Sequence, residues 1–279
     1  MVASTAHIHK GISSMARTPE QFKQALLDVC QTRWVPGTYL EEFNRNNLKR
    51  EGARVYALEH CVFAANFPRW LANIAGNCPH LDVRQYLIEN MYVEEVRDPT
   101  VVTGHYESLV DFAVALGLDR QFVYNYRGSD ITRWRMGYCE WASKRHWLEG
   151  FAAITASEVS RGKDMIARMG ERAKSSRKLW DSLNLSDKEL AHWDSAEEAD
   201  SHEGGHGDMP IVILQKYAKS QEEQDACLFA AQELLDVYCM WADQIGVWAF
   251  QAAGLKAPSL DGRRKGPVMK LAASERQSA

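Results

Sequence analysis

Residues 202–209 read HEGGHGDM, so His202, Glu203 and His206 satisfy the spacing H-E-x-x-H. Two imidazoles one helical turn apart with an adjacent glutamate form the pattern of a zinc peptidase, the histidines holding the metal and the glutamate activating water. Three other places decide whether that chemistry belongs here, because each carries an ionisable residue on a face that should be apolar. His105 falls in the stripe of Val102, Leu109, Phe112 and Leu116, and a buried histidine needs a partner. Upstream stand Glu94, Glu95 and Asp98. A straight helix would hold Glu95 about 15 Å from His105, but Asp98-Pro99 interrupts the segment and a bend there returns the carboxylate towards the histidine. Glu158 shares a side with Phe151, Ile154 and Met165, and Glu59-His60 lies among Tyr56, Phe63 and Phe67, with Glu59 the better aligned with Phe63 and Trp70.

Each position has a plainer explanation. His105 could be a hydrogen-bonded core histidine, Glu158 half of a helix-boundary salt bridge, and Asp98 the cap before Pro99. The HEGGH segment could be a surface loop, since each glycine costs a helix roughly 1 kcal/mol relative to alanine. Their convergence weighs more than any one of them. Carboxylates and imidazoles from three helical segments suit iron or manganese, and a helix bundle is a frequent host for a two-metal carboxylate site.

The elements that must position these donors are helical almost throughout. Thr18-Pro19-Glu20 opens an N-terminal helix, with Thr18 as cap and Pro19 at the first position. Residues 39–76 read as one or two helices stopped by Asn77-Cys78-Pro79, 82–96 as another, and Asp98-Pro99 as the start of one reaching Gly117. Helices over 130–147 and 148–172 follow, with a break near Gly150; Ser186-Asp-Lys-Glu189 has capping-box spacing ahead of HEGGH, and 220–253 makes a long final helix. The expectation is one all-α domain over 18–254, with flexible ends at 1–17 and 255–279. At 46% hydrophobic and 25% charged residues, the composition is that of an ordinary globular protein, and a net charge of −4 argues against a nucleic-acid partner. No apolar run approaches the roughly 20 residues that cross a bilayer. The six cysteines form no C-x-x-C pair, which fits a reducing cytoplasm.

The stretch ENMYVEEVRDPTVVTGHYESLVDFAVALGLDR, 89–120, resembles the haem-oxygenase-like diiron oxidases and oxygenases, relatives of the thiaminase-like and pyrroloquinoline-quinone-synthase-like helical proteins. In that pattern a glutamate precedes a histidine that opens a helix, and Glu95 and His105 fit, with Glu94 and Asp98 as alternatives for the carboxylate. Glu158 in AAITASEV resembles the family's middle-helix glutamate. The family's H-x-x-x-D-x-x-H helix is matched less well. With His206 as the last ligand, Glu203 becomes the carboxylate and Ala199 falls where the first histidine belongs; His202, one turn nearer, is the substitute, and Asp200 offers another register.

The resemblance covers about residues 40–250. It implies a haem-oxygenase-like bundle of about seven core helices, two iron ions held by Glu95, His105, Glu158, His202, Glu203 and His206, and O₂ as co-substrate. Glu59 is the position for an additional ligand. The activity implied is oxidation of a small amine- or amino-acid-like metabolite by N-hydroxylation, desaturation or C–C cleavage in a biosynthetic pathway. Arg133 and Arg135 in TRWRMGYC are candidates to orient a substrate carboxylate, against a solvated face as the plainer reading. The partner is a small molecule, with a homodimer as one option for the assembly.

The peptidase reading fares worse, since the third histidine of the longer metzincin signature is absent after His206. A metal-free, thiaminase-like member would use Cys139 as nucleophile but leaves the inward histidines and acids unexplained. A helical interaction module would bury those groups at a cost without return.

Overall fold

A computed structural model describes residues 15–34, 37–98, 101, 103–174, 177–201 and 205–259. The described residues contain helices and no strand: α1 (Pro19–Trp34), α2 (Tyr39–Asn46), α3 (Arg50–Ala64), α4 (Phe67–Asn77), α5 (Leu81–Glu95), α6 (His105–Ala115), α7 (Arg120–Asn125), α8 (Asp130–Ser143), α9 (Trp147–Val159), α10 (Lys163–Met169), α11 (Asp187–Ser201), α12 (Met209–Tyr217) and α13 (Gln221–Ala252). The flexible ends expected at 1–17 and 255–279 lie largely outside the described residues. At their inner edges, Arg17 bonds Gln224 and Asp225, and Leu255 packs beside Phe43 and Phe250.

Local chemistry sets the boundaries. Thr18 and Gln21 cap α1 reciprocally, the Thr18 hydroxyl accepting from Gln21 N–H and the Gln21 amide oxygen from Thr18 N–H. Ser220 and Glu223 do the same for α13, as do Ser186 and Glu189 for α11. The stretch 39–76 divides into three helices rather than one or two. The break expected near Gly150 falls at Lys144–His146 and again at Ser160–Gly162. Gly150 sits inside α9, where an added Cβ would stand 3.0 Å from the Ala142 carbonyl oxygen, so its role is close packing of α9 against the end of α8.

Helix α13 is the spine. Its first half contributes Cys227, Ala230, Leu234 and Leu235 to a core shared with α1, α4, α5, α9 and α12. Its second half contributes Trp241, Ala242 and Ile245 to another core, shared with α3, α6, α11 and Trp180. Each large side chain buried this way is worth about 1.5–3 kcal/mol. The two cores meet along α3, whose Ala64 belongs to the second while Phe63 packs on the first. The candidate site opens at that seam. No helix among the described residues is long and apolar enough to cross a membrane.

Candidate metal centre

Helix α5 presents Asn90 and Glu94, one turn apart, on the face towards α6 and α9. Helix α6 begins at His105, six residues later than the sequence suggests. The His105 ring is held at both nitrogens, Nδ1 3.0 Å from Glu94 Oε1 and Nε2 2.9 Å from Asp98 Oδ2. Burial alone would lower its pKa, but the hydrogen bonds to Asp98 and Glu94 outweigh burial and raise it to about 10. The connection between the helices is pinned by the Asp98 N–H, which donates to Thr103 O at 2.9 Å.

Gly104 makes this approach possible. A Cβ there would stand 2.6 Å from the Glu94 carbonyl oxygen and 2.7 Å from the Glu95 carbonyl carbon, both rigid backbone. Gly104→Ala is therefore expected to push α6 off α5 and separate His105 from Glu94. Measured by NMR on iron-free protein, the His105 titration should fall by roughly one pH unit or more as the hydrogen bonds lengthen. An unchanged titration would mean that the helix ends do not meet as described.

Helix α9 delivers Glu158, whose Oε1 accepts from the Asn90 amide at 3.2 Å and stands 4.0 Å from His206 Nδ1. His206 follows the end of α11 and turns back, its N–H donating to Ala199 O at 2.9 Å. The approach depends on another backbone contact, between Gly162 and Gly207: a Cβ on Gly162 would lie 2.8 Å from Gly207 C and O.

The α11 residues that face this space are His192, Ala196 and Ala199. They have the spacing H-x-x-x-A-x-x-A, so α11 brings to the cavity a histidine that the reading of HEGGH did not include. The Ser108 hydroxyl donates to His105 O (2.8 Å) and lies 3.0 Å from His192 Nδ1. With its only proton spent on the carbonyl, Ser108 must accept from Nδ1–H. The network thus assigns the tautomer whose Nε2 keeps a lone pair, the form that binds metals. Burial, then the neighbouring His105 charge, lowers His192 to about 3, so it is neutral. His60 on α3 also lines the space, and burial holds it well below its ordinary value.

His105, Glu158 and His206 thus line one cavity together with Glu94, His60 and His192. Of the other expected ligands, Glu95 and Glu59 do not join them. Glu95 is exposed, because it ends α5 one position, about 100°, past the inward-facing Glu94. Glu59 is buried but accepts from Tyr126 Oη (2.6 Å) and Ser129 N–H (3.2 Å), tying down the entry to α8. His202 and Glu203 lie outside the described residues. Neither arginine reaches the cavity: Arg133 is bound to Gly128 O and Asp130 on the surface, and Arg135 is buried among rings. Cys139 is buried and its thiol pushed up to about 11 by burial, which removes support for a thiolate nucleophile there.

The donor set fits iron in kind: imidazoles and carboxylates gathered at a largely buried seam. Among the described residues no three His, Cys, Asp or Glu side chains close around one point. His105 accounts for much of that, its ring being clamped at both nitrogens by carboxylates. Glu94 Oε1 and His105 Nδ1, 3.0 Å apart, are the donors that would hold a metal on this side of the cavity.

Solved structures share this architecture. A domain of unknown function with a haem-oxygenase-like fold from Shewanella denitrificans superposes with a TM-score of 0.63 at 14% identity, covering 86% of this chain and 96% of that one. A TenA homologue from Pseudomonas syringae gives 0.63 at 13% identity, covering 83% and 98%. The fold is therefore haem-oxygenase-like. Residues 54–239 match the model of the haem-oxygenase-like family described as iron-containing redox enzymes, and the chain belongs to that family. Among characterised relatives, 4-aminobenzoate synthase of Chlamydia trachomatis is 24% identical over 199 residues, 71% of this chain and 79% of that protein. The protein of the same name from Chlamydia pneumoniae is 21% identical over the same length, 71% and 82%.

Proposed function

We propose that the protein is an O₂-dependent, non-haem diiron oxidase or oxygenase acting on a small amine- or amino-acid-like metabolite. The observation that carries the reading is the pairing of Glu94–His105 on one side of the cavity with Glu158–His206 on the other, and neutral His192 beside them. Family membership and the 4-aminobenzoate synthase relatives support redox chemistry with iron in a biosynthetic role. In this reading Glu94, His105, Glu158, His192 and His206 hold the metal, and Asp98 and Asn90 orient His105 and Glu158. Iron would supply the binding and reduction of oxygen. The protein's part is to hold the donors, keep water from the seam and place the substrate. Ser108 fixes the His192 tautomer, and Asp98 takes up the His105 proton's hydrogen bond until metal displaces that proton.

The test loads iron-free protein anaerobically with ferrous iron, counts bound metal, and follows oxygen uptake with a panel of amines and amino acids. Two irons per chain and substrate-stimulated uptake are expected; no iron, or uptake that no substrate stimulates, would overturn the reading. The proton on His105 gives the pH dependence. It is held up to about pH 10 in the iron-free protein, and a metal must displace it. Ferrous affinity should therefore rise with pH, about tenfold per unit between pH 6.5 and 8.5 if one proton leaves per metal.

A further inference from the structure

Helix α8 has two unlike faces. Thr132, Arg135, Cys139 and Ala142 are buried, where the helix packs against α3, α4, α9 and α13. The opposite stripe carries Trp134 and Trp141, two helical turns apart and 45% and 53% exposed. Between them stands Gly137, with nothing within 4 Å of its Cβ position, so the middle of the stripe is bare backbone. Trp141 is steadied by Tyr138 (ring centroids 5.5 Å) and by the Arg145 guanidinium 4.9 Å from its ring centre. Trp134 forms one side of a surface hollow with Ile131, Arg133 and Trp248. Half-bare indoles on a rigid helix, beside a hollow, are the composition of a protein-binding face.

The charges on the stripe say what covers it. Asp130 pairs with Arg133 at its beginning, and Glu140 with Lys144 (2.5 Å) at its end. Two acids and two bases favour no partner of a single sign. Their order does favour one partner. Asp130 and Lys144 lie seven residues before and after Gly137, Arg133 and Trp141 four, and Trp134 and Glu140 three. Turning the helix end for end exchanges the members of each couple, so the stripe is its own complement. A two-fold axis through Gly137, perpendicular to the helix, sets Asp130 against Lys144 of a second copy, Arg133 against Trp141, and Trp134 against Glu140, each contact occurring twice. A parallel pairing would set Asp130 on Asp130 and Lys144 on Lys144, which like charges oppose.

No group has to give up a partner for this. The Arg133 guanidinium keeps its in-plane bonds to Gly128 O and Asp130, and its flat face is what an indole covers. The two ion pairs inside each helix remain and become clusters of four alternating charges. Glu140 can accept from the Trp134 indole N–H while still holding Lys144, since a carboxylate has several lone pairs.

We propose that the protein is a homodimer joined by the α8 stripe, the two copies crossing antiparallel at Gly137 with Trp141 of each seated in the hollow of the other. The four indoles supply the affinity, as buried tryptophans commonly do at interfaces. The charges fix the antiparallel direction and the register. The donor cavity takes no part, so the dimer stands or falls independently of the function proposed above.

Sedimentation of the full-length, iron-free protein between about 1 and 100 μM tests this, and a reversible dimer with a Kd of about 10 μM or tighter is expected. Trp134→Ser together with Trp141→Ser should weaken it at least about 100-fold. Asp130→Lys sets lysine against Lys144 twice across the axis and should weaken it about tenfold. Adding Lys144→Asp restores opposite signs with the ends exchanged and should recover most of that loss, an outcome that a role confined to one chain would not produce. All four positions are at the surface, so the circular dichroism of each variant should match the parent's; should the tryptophan variant fail to fold, the charge exchange decides alone. A monomer at 100 μM, a dimer indifferent to the tryptophan substitutions, or a charge exchange that recovers nothing would overturn the proposal.

Discussion

Glu158→Ala protein is expected to remain folded and to lose nearly all of its iron. The carboxylate is 7% exposed, takes a hydrogen bond from Asn90 and faces His206, so it links α5, α9 and the segment after α11 at one point. Removing it leaves two sides of the cavity without a common donor. Loss of residues that merely orient a ligand costs about 10- to 100-fold in metal affinity, and loss of a ligand itself should exceed that range. Folding should suffer less than metal binding, because relief of the carboxylate's desolvation partly offsets the loss of an acceptor by the buried Asn90 amide. His105→Ala should lose iron to a similar degree but also lose stability, by about 3 kcal/mol in the iron-free protein, since buried Asp98 and half-buried Glu94 would be left as neighbouring carboxylates without their shared imidazolium. Metal analysis after anaerobic loading, with thermal unfolding of the iron-free proteins alongside, separates the two effects. Iron content near the parent's in both variants would remove these residues from the metal centre.

The second large effect is structural. Gly246→Ala should destabilise the protein by about 3 kcal/mol or more, at the upper end of overpacking costs. A Cβ at Gly246 would stand 2.2 Å from Leu40 N and 2.3 Å from Tyr39 C, so α13 would have to move away from the backbone of α2. The intrinsic gain of alanine over glycine in a helix, about 1 kcal/mol, cannot offset this. Gly137, inside α8, supplies the contrast: nothing lies within 4 Å of its Cβ position, and Gly137→Ala should stabilise by up to about 1 kcal/mol. Denaturant unfolding of both variants beside the parent is the measurement; equal stability of Gly246→Ala and the parent would show that the two backbones are not in contact.

The helices were readable from apolar periodicity and capping residues, and so was the placing of His105 and Glu158 on inward faces. What could not be read depended on how helices rotate about their axes and where turns bring their ends. Glu94 and Glu95 differ by about 100° around α5, and the α5–α6 turn, set by the Gly104 approach, decides which meets His105. Glu59 and His60 pose the same problem on α3, where the histidine faces the cavity and the glutamate faces Tyr126 and Ser129. His192 was missed for a different reason. Its partners at the next two cavity-facing positions are alanines, so no motif marks the helix, while HEGGH, beginning ten residues later, draws attention to itself.

Helix α13 runs for 32 residues and contributes side chains to both main cores. A helix of that length spans about 48 Å. Solvent cannot reach its central amides without parting both cores together, so the bundle should open as one cooperative unit rather than as two lobes in succession. Breathing that admits a molecule to the seam then falls to elements packed away from the spine, such as α11, which rests on α6 and α10 and whose amides are released at a smaller free-energy cost. In this architecture the most protected backbone and the route inward belong to different helices, so changes that loosen entry need not weaken the frame that holds the donors.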